Sequence, residues 1–263
     1  MAQPADRSRA WPWVLVLVGA LLVGVLLAWR PWAAPADVVG AAPAATPSAT
    51  APGVVPRSPE PAGPAFDEAS AVALFFTDAE LAQAVPLVAG LALADVDEPM
   101  WGLPEGSAVT PPSCTPAVTI VEQQPDAFLR RFVGGDAVTV VQSVDVLADA
   151  DVAAEAFALL VRTAETCDSY RQMNPGVDSG SWTAEPPTAQ HGAVPTVVRE
   201  LTLTAEGATS PEVEVTALAG NALVTTTVSG VDPATAPADP GVLARAARAA
   251  GERALAEVDD RQG

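Results

Sequence analysis

The sequence predicts an α+β fold, an antiparallel β-sheet with flanking helices, preceded by one transmembrane helix and a disordered Ala/Pro-rich linker. Three observations predict it: a long apolar segment near the N-terminus, a proline-rich segment after it, and alternating strand and helix patterns over the remainder. The predicted divisions are a short cytoplasmic tail (1–10), the transmembrane helix (11–32), the linker (33–66) and an extracytoplasmic domain (67–260).

Residues 11–32 have the length and composition of a membrane-spanning helix. No charged or strongly polar side chain occurs between Val14 and Ala28. Trp11 and Trp29 are separated by about 27 Å along a helix, which is close to the hydrocarbon thickness of a bilayer. Tryptophan is expected at both membrane interfaces, and the predicted interface residues are Trp11, Trp13, Trp29 and Trp32. The lipid bilayer is therefore a predicted partner.

The arginines around this segment predict its orientation. Arg7 and Arg9 precede it, whereas Arg30 follows it. The positive-inside rule then places the N-terminus in the cytoplasm and the C-terminal domain outside the plasma membrane, with a single pass. The alternative is a signal peptide whose cleavage releases a secreted protein. The long apolar core and the tryptophans near Ala33 favour the uncleaved anchor.

The linker and the charge balance limit the classes of function. Residues 33–66 contain eight prolines and cannot bury a core, so an extended spacer is expected. The formal net charge is −19, and every basic residue is arginine. Beyond residue 66 the chain carries 29 acids and nine arginines. A surface this acidic repels phosphates, so nucleic acid is excluded as a partner.

Valine-rich and alternating segments predict the strands. Glu212 and Glu214 alternate with Val213 and Val215, which predicts one solvated and one buried face for that strand. Gly220-Asn221 predicts a tight hairpin. The sheet is expected to have about four to six strands. Those predicted are Ala117–Val121, Ala137–Leu147, 195–204, 212–219 and 221–229.

Start and stop signals predict three helices. Thr77 and Glu80 form a capping-box pattern that begins a short helix ending before Pro86. Asp149 or Asp151 begins a helix running to about Thr166. Its predicted apolar stripe is Val152, Ala156, Leu159, Leu160 and Ala164.

Asp239-Pro240 begins the last helix, because proline is favoured in the first helical turn. On its polar side, Arg248 and Glu252 are spaced to form an i,i+4 ion pair.

Cys114 and Cys167 are the only cysteines. In an extracytoplasmic domain, an even pair predicts a disulfide bond. Closing this loop of 53 residues contributes about 4 kcal/mol on the chain-entropy model. A zinc site is disfavoured because the chain has one histidine, His191, and structural zinc needs four ligands.

No pattern of catalytic residues is coherent. His191 lies in a proline-rich segment, and Ser179 lacks the G-x-S-x-G context of a hydrolase nucleophile. We therefore predict no catalytic, cofactor or metal site. Asp95, Asp97 and Glu98 resemble half of a calcium loop but lack its glycine and its terminal glutamate, so a solvated acidic loop is expected.

Two other features of the domain have more than one interpretation. Arg130-Arg131 is the only basic pair in the domain, and it could receive a carboxylate or a phosphate, although arginines on an acidic surface usually pair with neighbouring acids. Trp182 either lines a pocket or fills the core.

The order of these segments resembles a known family. The features that carry the resemblance are the span, the linker, a cysteine, the strand Val140-Val141-Gln142-Ser143-Val144, the helix DVAAEAFALLVRTAETC, the Ser181-Trp182 loop, and the strand 221–228 before an Ala-rich helix. Over residues 70–258 the chain resembles the extracellular sensor domain of the mycobacterial serine/threonine kinase PknH and its stand-alone actinobacterial relatives. The resemblance implies an antiparallel sheet with flanking helices and a cleft for an unidentified small ligand.

Two departures from that family affect the expected function. Its members commonly have two disulfides, whereas this chain can form one. No kinase domain accompanies the predicted span, so signalling is expected to need a partner. The leading hypothesis is a membrane-anchored, non-catalytic, extracytoplasmic sensor-like or ligand-binding protein of the cell envelope. The alternatives are a structural or partner-binding envelope protein and an unrecognised hydrolase.

Overall fold

The computed structural model describes residues 65–175 and 179–262. The predicted tail, the transmembrane segment and almost all of the predicted linker lie outside these residues. Of the helices that are described, none combines the length and the apolar character needed to cross a bilayer. The membrane anchor therefore stays a prediction.

The described residues form ten strands and five α-helices. The strands are β1 (Ala94–Asp95), β2 (Ala108–Thr110), β3 (Ala127–Gly134), β4 (Val138–Val146), β5 (Ser169–Met173), β6 (Gly180–Ala184), β7 (Thr188–Gln190), β8 (Thr196–Ala205), β9 (Ala208–Ala219) and β10 (Ala222–Gly230). The helices are α1 (Glu68–Ala71), α2 (Asp78–Ala84), α3 (Pro116–Thr119), α4 (Ala150–Thr166) and α5 (Pro240–Gln262).

All strands belong to one antiparallel sheet. Its order is β1-β3-β4-β10-β9-β8-β6-β5-β2, and β7 pairs with the first residues of β8. The hairpin between β9 and β10 turns at Gly220 and Asn221, as predicted, with Ala219 opposite Ala222. The predicted antiparallel α+β architecture is confirmed, but the predicted four to six strands were too few.

Helices cover both faces of the central strands. On one face, Leu243, Ala247 and Ala250 of α5 pack with Val213 and Val215 of β9. On the other face, Leu160 of α4 packs with Val197 of β8 and Leu223 of β10. Because both faces of the central part of β9 are covered, Glu214 is only 9% exposed and Glu212 is half-buried. The prediction of a solvated face at Glu212 and Glu214 was therefore wrong.

The predicted helix signals are confirmed. Thr77 and Glu80 form the reciprocal capping box of α2. Asp149 caps α4 by accepting a hydrogen bond from the amide of Val152 at 2.8 Å. In α4, Ala153 and Thr163 are buried, whereas Val152 of the predicted stripe is exposed. In α5, Arg248 donates to Gln190 on β7 and is not paired with Glu252, because the helix packs beside that strand.

Two regions differ from the sequence prediction. Residues 117–121 form no strand. Pro116 begins the short helix α3, because proline is favoured in the first turn of a helix. The apolar side chains of this segment pack onto the face of the sheet that α4 also covers. The polar stretch 168–194 contains β5, β6 and β7. Their serine, threonine and glutamine side chains lack the apolar alternation that normally indicates a strand.

Asn221 connects the hairpin to two distant segments. Its Oδ1 accepts from the amide of Phe66 at 2.6 Å, and its Nδ2 donates to the carbonyls of Phe66 and Leu147 at 3.1 and 2.8 Å. Phe66 is buried beside α1. The side chain of Asn221 therefore attaches the start of the domain to the sheet.

Replacing Asn221 by alanine is expected to lower the free energy of unfolding by about 2–3 kcal/mol, because buried backbone groups lose their partners. Urea unfolding followed by circular dichroism would measure the loss. Ser210→Ala on β9 serves as control. A loss below about 0.5 kcal/mol for N221A would contradict this account of the Asn221 hydrogen bonds.

Candidate functional site

A disulfide bond places a short segment over one face of the sheet. Cys114 and Cys167 are bonded with 5.7 Å between their Cα atoms, which confirms the predicted pair. Cys114 lies two residues before α3, and Cys167 is the C-cap residue of α4. We call residues 114–123, which include α3, the cover segment. The bond fixes one end of this segment to the end of α4.

The cover segment contains an unusual backbone turn. Ile120 has φ +67° and ψ −47°, and the amide of Val121 donates to the carbonyl of Thr119 at 2.7 Å. This is a γ-turn with positive φ, which is rare and costly for a β-branched residue. Such conformations concentrate at functional sites. The turn directs Ile120 to the wall between two depressions of the surface.

A polar pocket of about 130 Å³ lies between the cover segment and the sheet. Its floor is formed by the neighbouring strands β3, β4, β10 and β9. The sheet residues that line it are Phe128, Arg130, Val141, Ser143, Asp145, Glu214, Thr225 and Thr227. Its remaining lining residues are Trp101, Gly102, Val118, Thr119 and Ile120.

Asp145 is the most unusual group of the polar pocket. It is 2% exposed, and its Oδ1 has no hydrogen-bond partner among the described residues. Burial raises the pKa of Asp145 to about 7, although the positive charge of Arg130 acts in the opposite direction. An unpaired buried carboxyl is costly, which makes Asp145 a candidate functional group.

Two buried nitrogen atoms of the polar pocket are also without a partner. They are Nε of Arg130 and Nε1 of Trp101. Six such buried side-chain atoms occur in the described part of the chain, and three of them belong to residues of this pocket. Native interiors satisfy most buried polar groups. The concentration of three exceptions therefore marks the pocket as a place where an additional polar molecule can bind.

A buried ion pair separates the polar pocket from a neighbouring one. Arg199 is 3% exposed and donates from Nε to Oε1 of Glu214 at 2.9 Å. Its Nη2 donates to the carbonyl of Ala117 in the cover segment at 2.7 Å. Burial tends to lower the pKa of Arg199, but the Glu214 carboxylate raises it above its usual value. The hydrogen bond from Arg199 to Ala117 therefore attaches the cover segment to the sheet.

The neighbouring aromatic pocket has about 150 Å³ and shares Val118 and Glu214 with the polar pocket. In it, Tyr170 and Trp182 stack with their ring centroids 5.4 Å apart. Trp182 donates from Nε1 to Glu212 at 3.0 Å. Burial raises the pKa of Glu212, against hydrogen bonds from Ser229 and Trp182. Trp182 fits both interpretations, because it lines this pocket and also packs against the core cluster that contains Tyr170 and Leu201.

Two larger depressions have a different character. A groove of about 420 Å³ runs along α4 and is lined by apolar residues that include Val152 and Leu159. A depression of about 480 Å³ lies between α2 and α5. Neither is lined by any of the six unpartnered buried atoms of the described residues. The chemistry is therefore concentrated in the polar pocket.

Other residues considered from the sequence lie elsewhere. His191 is exposed directly after β7, and Ser179 directly precedes β6. Asp95 forms an ion pair with Arg131 at 2.6 Å, so this arginine pairs with a neighbouring acid, as arginines on an acidic surface usually do. Within the described residues, no group of three or more histidine, cysteine or acidic side chains is arranged to hold a metal ion.

Sequence reasoning missed the central residue of the pocket. Asp145 stands between Val144 and Val146 in a strand that was predicted only from its valines. A charge inside such a run was the available signal, since a buried strand normally excludes it. Arg130 was noted as part of a basic pair, but its position opposite Ser143 depends on the pairing of β3 with β4.

Replacing Asp145 by asparagine is expected to change the pH dependence of stability. Because the folded state raises the pKa of this carboxyl from 3.8 to about 7, stability from its protonation is present below pH 4 and lost as pH rises through 7. Relative to the wild type, D145N should gain on the order of 2–4 kcal/mol between pH 4 and pH 8. Urea unfolding at several pH values measures this difference, and a pH-independent difference would contradict the assignment.

Comparisons with known proteins support the fold. No protein-family model and no curated protein matches the chain. The solved extracellular domain of PknH from Mycobacterium tuberculosis matches with a TM-score of 0.53 and 15% identity, over 74% of this chain and 98% of that one.

Two further solved structures match with lower TM-scores. An uncharacterised protein of Mycobacterium smegmatis, an Rv0999 ortholog, has a TM-score of 0.34 and 16% identity, over 61% of this chain and 86% of that one. The protein PA94 of Pseudomonas aeruginosa is described as a protein of unknown function and putative regulator. It matches with a TM-score of 0.27 and 15% identity, over 55% of this chain and 84% of that one. The resemblance inferred from the sequence is confirmed as a likeness of fold: the described domain is folded like the extracellular domain of PknH.

Proposed function

We propose that this chain presents an extracytoplasmic, sensor-like domain that binds a small molecule without transforming it. The observation that carries the proposal is the group of three unpartnered buried polar atoms around the polar pocket. A concave site with a few convergent polar groups is typical of small-molecule binding. The likeness of fold to an extracellular domain supports the location.

The cover segment supports the same proposal. It is held at two points, to the end of α4 by the disulfide and to the sheet by the hydrogen bond from Arg199 to Ala117. These fixed points preorganise the pocket, and preorganisation reduces the cost of binding. A ligand would contact sheet and cover segment together, so binding would stabilise the cover segment. A sensor domain needs its surface to respond to the ligand. A ligand that stabilises the cover segment meets this need, because it favours one arrangement of the surface of the domain.

Thermal unfolding of the full chain in mild detergent, with and without envelope metabolites, tests ligand binding. A ligand that binds only the folded state raises the melting temperature with its concentration. The shift should be lost in D145N and kept in D97N, in which an exposed acid is neutralised. If no compound raises the melting temperature and cross-linking captures an envelope protein instead, the partner-binding alternative is correct. The α4 groove is then the surface to test.

The membrane anchor is part of the proposal. Residues 11–32 would hold the domain at the plasma membrane, with the N-terminus in the cytoplasm. The disulfide bond supports an oxidising, extracytoplasmic location. Alkaline carbonate washing should leave the full chain in the membrane and release a variant that lacks 11–32. Release of the full chain, or a mature protein that begins after residue 33, would favour secretion after cleavage.

The absence of catalysis is likewise proposed. A serine hydrolase would need His191 within hydrogen-bond reach of a serine. His191 makes no hydrogen bond within the described residues, and its side chain is exposed. A fluorophosphonate probe should therefore leave the chain unlabelled. Labelling that His191→Gln abolishes would establish the hydrolase alternative.

A further inference from the structure

Asp145 and Arg130 carry opposite charges in one small pocket without forming an ion pair. β3 and β4 pair so that Phe128 lies opposite Asp145 and Arg130 lies opposite Ser143. The two charged residues are therefore diagonal neighbours on one face of the sheet. The guanidinium of Arg130 lies over the ring of Phe128, 5.1 Å from its centroid. This contact brings the positive charge toward Asp145 and keeps it over the ring.

Each of the two groups retains an unused hydrogen-bonding atom. Asp145 Oδ1 can accept, Arg130 Nε can donate and Trp101 Nε1 is a second donor; the three atoms are buried, and their residues line the pocket. A complementary molecule therefore needs a donor group and an acceptor group a short distance apart. The pocket has a volume of about 130 Å³, which suits a molecule with few heavy atoms.

The charges decide the class of this molecule. A simple anion would satisfy Arg130 but leave the Asp145 carboxylate buried and add a like charge beside it. A simple cation would satisfy Asp145 and repel Arg130. An uncharged ligand would bring neither group a counter-charge in direct contact, so the buried Asp145 carboxylate would keep only the charge of Arg130, with which it forms no ion pair. A molecule with both charges satisfies both groups, and its zero net charge meets no repulsion from this acidic chain.

We propose that the polar pocket binds a small zwitterion of the amino-acid type, with its ammonium group on Asp145 and its carboxylate on Arg130 and Trp101. This inference rests on the proposed ligand-binding function and names the class of ligand. No bond is made or broken. The hydroxyl groups of Ser143 and Thr227 line the same pocket. A ligand with a short side chain, such as glycine, alanine or serine, matches the volume.

The inference predicts a pH dependence of binding. An ammonium group needs the ionised form of Asp145, whose pKa is about 7 in the free protein. Affinity should therefore fall about 50-fold between pH 7 and pH 5, as the ionised fraction falls. Of the other charged residues that line the pocket, Arg130 on β3 acts on Asp145, whereas Glu214 on β9 lies in register with Val141, four residues along β4 from Asp145.

Isothermal titration calorimetry of the full chain in mild detergent tests the inference. Glycine, L-alanine and L-serine are compared with acetate, methylamine and acetamide, each of which reproduces only part of a zwitterion. We expect the amino acids to bind at least tenfold more tightly than any of these three. D145N and R130Q should each weaken amino-acid binding at least tenfold, and D145N should also remove the dependence on pH between 5 and 7.

The controls are matched to the two variants. R131Q changes the next residue, which faces the opposite side of the sheet and pairs with Asp95, and D97N neutralises an exposed acid. Both should bind like the wild type. Near-ultraviolet circular dichroism before each titration identifies variants that do not fold. If a variant does not fold, NMR titration of the wild type with methylamine tests the contact with Asp145, and NMR titration with acetate tests the contact with Arg130.

Three outcomes would overturn the inference, and they separate it from the proposed function. Equal binding of acetate or methylamine and the amino acids would show that one charge suffices. Binding of another chemical class, lost in D145N, would refute the zwitterion and leave the proposed function intact. If neither the amino acids nor a broad metabolite library binds, both the inference and the proposed function fail.

Discussion

Replacing Arg199 by methionine is expected to lower the free energy of unfolding by about 3–5 kcal/mol, the range for removing one partner of a buried ion pair. The loss is large because Glu214 would be left ionised at 9% exposure. The carbonyl of Ala117 would also lose its donor. Typical domains have only about 5–15 kcal/mol of stability, so this variant is expected to be marginal at 37 °C.

A double-mutant cycle separates the pair from the packing of its side chains. The variant R199M/E214L replaces both charges with apolar side chains of similar size. Its stability should return to within about 1.5 kcal/mol of the wild type, because well-packed apolar residues can replace a buried ion pair. Urea unfolding followed by circular dichroism measures all four proteins. The control R245M removes an exposed arginine and should change stability by less than about 0.5 kcal/mol.

Two results would contradict this account of the ion pair. A loss below about 1 kcal/mol in R199M would mean that Glu214 is hydrated or becomes protonated at little cost. Simple additivity of R199M and E214L would mean that the two side chains are not coupled. Either result would remove the ion pair as the reason why the cover segment is held on the sheet.

Removal of the disulfide is expected to cost a similar amount. The variant C114A/C167A should lose about 4 kcal/mol, because opening a loop with a sequence separation of 53 restores entropy to the unfolded chain. Alanine is the appropriate replacement, since both cysteines are buried and serine would add an unpaired hydroxyl. Urea unfolding with and without dithiothreitol measures the effect.

Reduction provides the control for this prediction. Dithiothreitol should lower the stability of the wild type to that of the variant and leave the variant unchanged. Faster amide exchange over residues 115–121 is also expected, because the cover segment loses one of its two attachments. If reduction leaves the unfolding midpoint of the wild type unchanged, the bond does not stabilise the domain.

Local signals in the sequence predicted the elements whose structure is decided by neighbouring residues. The capping box at Thr77 and Glu80, the cap at Asp149 and the turn at Gly220-Asn221 each depend on contacts within a few residues. The Val-rich strand β4 was also predicted, because an unbroken valine pattern favours few alternatives. The disulfide followed from the count of two cysteines.

Elements that depend on distant partners were predicted poorly. Residues 117–121 have the composition of a strand. Pro116 and the disulfide at Cys114 instead place them over one face of the sheet, where they form a helix and a turn. β5 to β7 are rich in polar residues and exist because β8 offers an edge with which β6 and β7 pair. Strand pairing is decided by tertiary contacts more than by intrinsic propensity.

The sequence by itself determined the antiparallel α+β class, the main helices and the single possible disulfide, because these follow from periodicity, capping and cysteine count. It also carries the apolar segment from which the anchor is predicted. Only the tertiary structure decided that both faces of the central strands are covered and that Asp145 lies beside Arg130. The physical reason is that a pocket depends on strand register and on a covering segment, which join residues distant in the chain. A local pattern can show that a charge is present, but only packing decides whether that charge is solvated, paired or available for a ligand.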